Sequence, residues 1–530
     1  MAVTLDSLSP AAQAEATSLG LRNPLRENPD ALGFERWFAI VEENFRAVSA
    51  AECRAMFERY QGHDAGDLDR FRECFAAYCY DDTIARICRA HLEALEGTLH
   101  RRVELFLNTH LLQFQVAGNP EVAEKANPLE NRFLKFRAQV GDRSFSFSQL
   151  NQIVKSSPER AERELAWKAL VPFGAENRAE MLELITTRNR LARELGYRDF
   201  VDMRWRTSEI DETWMLGVLD RLDEETREPY ARACDELRRT LGVERLEPWD
   251  VSYAVERLCP LPPEYFDHQG AQQRLERLLR GWGFDEAQMR IPIAYSESMG
   301  IGGICFGIEP GTEVAILLSP SSGPRYYRTY FHEYGHAMHF KHAGQGNMLL
   351  NVEDMAMNEG MALFFESFVS DPLWVSHNLE LEEADQERYC RQGRFALLTW
   401  MRALLLNIRL EYLLYTHPER DPDTYYLELQ QRCCGFELPA AMATRWAGDQ
   451  FLVSLPVYWH NYVLAELIAR QTRAAIQARD GVLLDNPGVG EFLFEHYYKP
   501  GAAVPWLRKI ELATGRPLDG EAFFRYFQHL

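Results

Sequence analysis

Apolar residues recur every three or four positions along most of this chain, which is the spacing of amphipathic helices. The pattern predicts long helices from the start of the chain, for example over 34–48 and 67–77. It resumes at residue 157 and runs to Gly196, a residue type that often ends helices. We therefore expect a mainly α-helical protein.

Two segments interrupt this helical periodicity, GNPEVAEKANP at 118–128 and GDRSFSFS at 141–148. Breaks of this kind are typical of boundaries between domains. We expect an N-terminal helical lobe at 1–150 and a second domain at 151–530.

Strand-like runs occur between residues 290 and 319, where the sequence reads IPIAYS, then GIGGICFGI, then EVAILL. Pro310 and Gly311 lie between the last two runs and predict a hairpin. The glycines at 300, 302 and 303 open no phosphate-binding helix, and we expect them to let another backbone approach closely.

A new helix is predicted to begin near Arg325, and it carries the motif FHEYGHAMHF at 331–340. His332 and His336 are four residues apart, so their imidazoles lie about 40° apart around a helix and can grip one metal ion. Glu333 can take a proton from a water on the open side of that metal. H-E-x-x-H therefore predicts a zinc site, although the same sequence can also occur on a solvent-exposed helix face that binds no metal.

A second helical stretch, predicted over 352–368, carries Glu359 and Glu366 on a mostly apolar face. A carboxylate on such a face needs a partner, and a catalytic zinc needs a third protein ligand. Glu359 is predicted to be that ligand. Glu366 lies two turns further on. It either hydrogen-bonds the ring nitrogen of a ligand histidine that does not bind the metal, or it forms a buried ion pair with an arginine.

Another metal pattern, H-E-x-x-H-x-x-G-x-x-H, would use His342 as its third ligand. That pattern requires a glycine at 339 to turn the chain, and this sequence has His339 there. We expect His339 and His342 to be hydrogen-bonded or solvent-facing histidines on the continuing helix.

Composition excludes several classes of function. The charge of −21 would repel a phosphate backbone, so nucleic acid is not an expected partner. No stretch approaches 18 uninterrupted apolar residues, so we expect no membrane span. The start lacks a basic segment followed by an apolar core, and the 10 cysteines form no framework, which together predict a cytoplasmic protein with reduced thiols.

HEYGHAMH, followed 23 residues after His336 by the glutamate of NEGMALFFESF, resembles the zinc peptidases that include thimet oligopeptidase and oligoendopeptidase F. It is more distantly similar to the angiotensin-converting-enzyme group. The resemblance implies a two-lobed, multi-helical metallopeptidase with a small β-sheet beside the zinc helix and a substrate channel between the lobes. It also implies one zinc ion per chain, held by His332, His336 and Glu359, and substrate pairing with 313–318 or its hairpin partner.

Enzymes of this family place a tyrosine, often with an upstream histidine, over the zinc to hold the oxyanion. The resemblance makes Tyr462 the matching residue, with Tyr458 as its neighbour. Where the family has the upstream histidine, this chain has Gln450 and Leu452, so either His460 substitutes or that donor is absent. Packing of both tyrosines into the core is the alternative reading.

The expected function is zinc-dependent hydrolysis of short peptides, with the metallopeptidase domain at 151–530 and Glu333 as general base. Two alternatives share the same scaffold: an enzyme that releases dipeptides from the carboxyl end, and a zinc-containing peptide-binding protein without turnover. A helical scaffold without metal is a further possibility. The sequence leaves the oligomeric state and the physiological substrate open.

Overall fold

The computed structural model describes residues 8–140, 143–297 and 302–528 of the 530-residue chain. Within these residues the protein is mainly α-helical, as predicted, and it has two small sheets where the sequence predicted one. The glycine at 300 lies outside the described residues.

The helices and strands have the following bounds in chain order: α1 Pro10–Ser18, α2 Pro29–Leu32, α3 Phe34–Tyr60, α4 Asp69–Tyr78, α5 Asp82–Leu92, α6 Gly97–Thr109, α7 Pro120–Lys135, β1 Ala138–Val140, β2 Arg143–Phe145, α8 Phe147–Ser156, α9 Arg160–Lys168, α10 Leu170–Glu194, α11 Phe200–Thr207, α12 Glu212–Leu241, α13 Pro248–Leu258, α14 His268–Gly281, α15 Glu286–Met289, β3 Ile293–Tyr295, β4 Gly303–Glu309, β5 Glu313–Leu318, α16 Pro324–Lys341, α17 Met348–Asn351, α18 Met355–Glu366, α19 Pro372–Asn378, α20 Glu383–Thr416, α21 Pro422–Cys434, α22 Phe451–Ser454, α23 His460–Asp480, α24 Pro487–Leu493, α25 Trp506–Thr514 and α26 Glu521–Arg525. Short 3-10 or π turns supplement them at Pro24–Arg26, His110–Ala117, Pro263–Phe266, Ser367–Ser370, Ala440–Gly448, Phe494–Tyr498 and Gly501–Ala503.

The chain forms two compact units, each assembled from three separate stretches. Unit 1 comprises Met1–Gln115, Phe266–Glu366 and Thr472–Pro517, and unit 2 comprises Val116–Tyr265, Ser367–Gln471 and Leu518–Leu530. These units are interleaved along the sequence. The sequential division into 1–150 and 151–530 stays a prediction.

Unit 1 contains a three-stranded sheet in the order β3-β5-β4. β5 is its central strand, parallel to β3 and antiparallel to β4. The predicted hairpin is present, and Gly311 has a φ of 91°, which glycine adopts without steric cost. Phe306 and Leu317 are buried on this sheet with Phe57 of α3 against them.

α16 begins at Pro324, next to the residue predicted to start it, and carries the histidine motif. α18 is shorter than the predicted helix over 352–368, because it begins at Met355. The Asp354 carboxylate accepts a hydrogen bond from the Ala356 N–H at 2.9 Å, which satisfies a free donor at the helix start. Val352 is therefore outside the helix and exposed.

Unit 2 is built on long helices, of which α10, α12 and α20 span 25, 30 and 34 residues. A fully buried ion pair between Arg402 and Asp223 joins α20 to α12, with Nη1 and Oδ1 2.9 Å apart. Buried charges of this kind need such pairing to offset their loss of water.

No helix in the described part of the chain is long and apolar enough to cross a bilayer. All ten cysteines are free thiols.

Candidate metal centre

The two helices that carry the predicted ligands, α16 and α18, pack against each other at a glycine. A Cβ atom at Gly335 would lie 2.7 Å from the Ala362 Cα and 2.8 Å from the Met361 carbonyl oxygen. Such distances are too short for any side chain, so only glycine allows this approach. The close contact brings α18, with Glu359, to the histidine face of α16.

His332, His336 and Glu359 each direct one ligand atom into a common point, with these atoms within 4.8 Å of one another. The two Nε2 atoms are 3.2 Å apart. Glu359 Oε2 lies 3.4 Å from the first Nε2 and 3.8 Å from the second. Ligands held by zinc at tetrahedral angles are about 3.3 Å apart, so the three spacings suit one zinc ion with its fourth position open.

The hydrogen bonds behind the histidines fix which nitrogen carries the proton. His332 Nδ1 lies 3.0 Å from Glu366 Oε2, and His336 Nδ1 lies 3.0 Å from Asn358 Oδ1. Because both partners are acceptors, both Nδ1 atoms donate, and in the neutral rings both Nε2 lone pairs face Glu359. Three electron-pair donors facing one point favour a cation there, so the donor set fits zinc.

The electrostatics agree with a site for positive charge. Burial alone would lower the pKa of His332, but Glu359 and Glu366 beside it hold that pKa well above its usual range. Burial lowers the pKa of His336 to about 4, so this ring is neutral at pH 7. The carboxylates of Glu359 and Glu366 thus stabilise a positive charge in the cluster. A bound metal ion can provide this charge in place of the proton on His332.

Glu333 lies beside this cluster and is buried. Burial raises the pKa of its carboxyl to about 7, while the Cys305 backbone N–H, which donates to the carboxylate, opposes that rise. A Cβ atom at Gly303 would lie 2.7 Å from Glu333 Cγ. The expectation that this glycine admits another backbone is therefore wrong, because the space is occupied by the Glu333 side chain.

His339 and His342 take no part in the cluster. His339 Nε2 is 3.0 Å from Glu353 Oε1, and His342 Nε2 is 3.2 Å from the Gln288 carbonyl oxygen. Both are hydrogen-bonded histidines at the end of α16, as expected.

The residues predicted to hold the oxyanion, Tyr458, His460 and Tyr462, belong to unit 2. The two tyrosine rings pack edge to face with centroids 5.6 Å apart. His460 is buried beside Trp205, and this burial lowers its pKa to about 3. The roles of Tyr462, Tyr458 and His460 at the oxyanion stay predictions.

Sequence reasoning missed two residues that shape the centre, Asn358 and Gly335, and it gave Gly303 a different role. The only signals were a glycine inside the H-E-x-x-H motif, which is unusual within a helix, and an amide residue directly before the third ligand. Neither residue type shows which part of the chain the residue contacts. Of the two strands expected to pair with substrate, β5 is the central one, with β4 along one edge and β3 paired with residues 316–318 at the other. Its hairpin partner β4 is an edge strand of this sheet among the described residues.

Comparison with known proteins gives one family match and several matches of fold. The model for Peptidase family M3 matches residues 153–267, a stretch that does not include the metal cluster. No curated protein matches the sequence.

Among solved structures, PZ peptidase A with inhibitor 2 has 15% sequence identity and a TM-score of 0.68, over 97% of this chain and 95% of that one. A structure assigned as oligoendopeptidase F has 17% identity and a TM-score of 0.69, over 98% and 95%. A second one, from Bacillus anthracis str. Ames, has 15% identity and a TM-score of 0.66, over 98% and 95%. These likenesses establish a shared fold. With the family match they confirm the predicted resemblance and support the prediction of a metallopeptidase.

Proposed function

We propose that this protein is a zinc-dependent peptidase that cleaves short peptides. The observation that carries the proposal is the convergence of His332, His336 and Glu359 within 4.8 Å, with the buried Glu333 beside them. Three protein ligands leave a coordination position for water or substrate, which distinguishes catalytic from structural zinc sites.

A bound zinc ion supplies Lewis acidity, which lowers the pKa of water from 15.7 to about 7 and polarises a carbonyl group. Glu333 acts as the base that takes the proton from the attacking water and then passes it to the departing amine. A carboxyl with a pKa near 7 suits both steps, because a proton shuttle works best near the pH at which it operates. Cys305 donates its N–H to this carboxylate and holds it in place.

Glu366 and Asn358 orient the two imidazoles through their Nδ1 atoms. Fixing each tautomer presents Nε2 as the ligand atom and avoids reorganisation on metal binding. Tyr462, with Tyr458 beside it, is the proposed donor to the oxyanion, a contact worth on the order of 3 kcal/mol in well-studied enzymes.

The substrate is proposed to bind as an extended strand. β4 is an edge strand of the sheet and carries Gly303 and Cys305 next to Glu333. A peptide that pairs with this edge would bring its backbone to the base, and main-chain hydrogen bonds would bind many sequences. The ten free thiols support a reducing compartment such as the cytoplasm.

The test is incubation of the purified protein with a mixed peptide library and analysis of the products by mass spectrometry. We expect cleavage by the wild type, loss of cleavage in Glu333→Gln with zinc still bound, and loss in chelator-treated wild type. The positions of the cuts distinguish internal cleavage from release of dipeptides at the carboxyl end. Bound zinc without any products would instead indicate a peptide-binding protein, and equal products from wild type and Glu333→Gln would refute the proposed base.

A further inference from the structure

Val457, in the turn between α22 and α23, has a backbone conformation that its side chain disfavours. Its φ is 55°, and it is the only β-branched residue among the three non-glycine residues with positive φ in the described part of the chain. A left-handed φ is rare for a β-branched side chain and persists only where the surrounding structure imposes it. This strained turn directly precedes Tyr458 and Tyr462 in unit 2.

A buried carboxyl group holds this turn. The Val457 N–H donates a hydrogen bond of 2.6 Å to Glu411 Oε1 of α20, and only 3% of Glu411 is exposed. Burial raises the pKa of this carboxyl to about 8, although the Val457 N–H opposes that rise, so the neutral form predominates at pH 7. Glu411 thus supplies a neutral acceptor to a buried backbone donor, which would be costly to leave without a partner.

The chain before the turn is fixed by a second buried group, the Arg188 guanidinium of α10. Its Nη1 donates to the Leu452 carbonyl oxygen and its Nη2 to the Val453 carbonyl oxygen, both at 2.6 Å. These carbonyl groups belong to α22, a helix of four residues that leaves them without partners inside the helix. Residues 452–457 are therefore held at both ends from two long helices of the same unit.

The backbone carries the conformation of this turn into the start of α23. The Asn461 N–H donates to the Tyr458 carbonyl oxygen at 3.0 Å, and the Tyr462 N–H donates to the Trp459 carbonyl oxygen at 3.3 Å. The rings of Tyr458 and Tyr462 also pack against each other. A backbone rotation at Val457 therefore displaces both tyrosines together.

We propose that Glu411 is a positioning residue for the oxyanion donor, because it keeps Val457 in the left-handed conformation and so fixes the place of the Tyr462 hydroxyl. This inference rests on the proposed function, in which Tyr462 binds the oxyanion. A donor stabilises a transition state when it is already aimed at the point where charge develops. Without the hydrogen bond from its N–H, Val457 relaxes to an extended conformation, and the hydroxyl is no longer held at one point.

Three variants separate this role from a general loss of packing. Glu411→Leu removes the acceptor, whereas Glu411→Gln keeps a neutral acceptor of the same shape. Leucine is chosen because a cavity of about 10 Å³ beside Glu411 and Val457 has room for one water, which a smaller side chain would admit as a substitute acceptor. Tyr412→Phe is the matched control, since it removes the hydrogen bond of 2.8 Å from the next residue of α20 to Glu212 and leaves the turn intact.

The first measurement is the kinetics of a cleaved peptide. We expect kcat to fall about 10- to 100-fold in Glu411→Leu, less than the 100- to 1,000-fold loss of a whole oxyanion donor, with KM changed by less than about twofold. Glu411→Gln and Tyr412→Phe should keep the wild-type kcat within about twofold. In a Tyr462→Phe background Glu411→Leu should lower kcat no further, because Glu411 acts through that hydroxyl.

Hydrogen–deuterium exchange of the zinc-loaded proteins gives a second measurement that does not depend on cleavage. Amide hydrogens of residues 457–462 should exchange faster in Glu411→Leu than in Glu411→Gln or the wild type. The proposal is wrong if Glu411→Leu exchanges there or cleaves at the wild-type rate, or if its effect on kcat adds to that of Tyr462→Phe. Absence of cleavage by the wild type would instead refute the proposed function, and the exchange rates would still decide whether Glu411 holds the turn.

Discussion

Substitution of Gly303 by alanine should separate the catalytic base from the metal site. The new Cβ would lie 2.7 Å from Glu333 Cγ and 2.9 Å from Leu318 Cδ2. Gly303 lies in β4 and has no left-handed φ, so alanine introduces no backbone strain and the effect is steric. Carbon atoms in contact are normally about 3.5–4.0 Å apart, so Glu333 has to move by about 0.8–1.3 Å.

A displacement of about 1 Å in a reacting group can lower the rate on the order of 100-fold. We therefore expect kcat for peptide cleavage to fall by about 10- to 100-fold in Gly303→Ala. Overpacking should cost about 1–3 kcal/mol of stability. Zinc content should not change, because Glu333 is not a ligand.

The assay combines the kinetics of a cleaved peptide with zinc analysis and a thermal melt. Gly302→Ala is the matched control, since a Cβ there meets Thr329 at 3.1 Å and not the base. A Gly303→Ala variant that is folded and zinc-loaded but cleaves at the rate of wild type would refute the reasoning.

Three further predictions concern the carboxyl groups of Glu366, Glu353 and Glu411. Glu366→Ala removes the acceptor from His332 Nδ1 and should weaken zinc binding by about 10- to 100-fold in a competition titration with a chelator; an unchanged affinity would contradict its positioning role. Lys509 and His339 hold the pKa of the buried Glu353 down to about 2, so its contribution to stability is full above pH 4.5 and is lost as the pH falls towards 2. Glu353→Gln should lower the free energy of unfolding at pH 7, measured by urea denaturation, by about 3–5 kcal/mol, because Lys509 is left buried without its charge partner. Below pH 4.5 the free energy of unfolding of this variant should depend less on pH than that of wild type. Burial raises the pKa of Glu411 to about 8, so the neutral carboxyl is favoured in the folded state and its contribution is lost as the pH rises from 4.5 through 8. Glu411→Gln should therefore melt at a higher temperature than wild type at pH 9 and at a similar temperature at pH 5. If the melting temperatures of both proteins change with pH in the same way, Glu411 does not have a raised pKa.

The sequence by itself determined the features that depend on spacing within one element. Residues four apart on a helix share a face, so His332 and His336 could be paired from the letters alone. The apolar period predicted a mainly helical protein, and the Pro-Gly pair predicted the hairpin of β4 and β5. Local backbone geometry is nearly the same in every protein, so such patterns carry over directly to structure.

Only the tertiary structure decided which separate elements meet. Gly335 lets α18 approach α16, Gly303 makes room for Glu333, and Asn358 reaches His336 from a different helix. These contacts depend on side-chain volumes and on packing across long stretches of chain, which no periodicity in the sequence records.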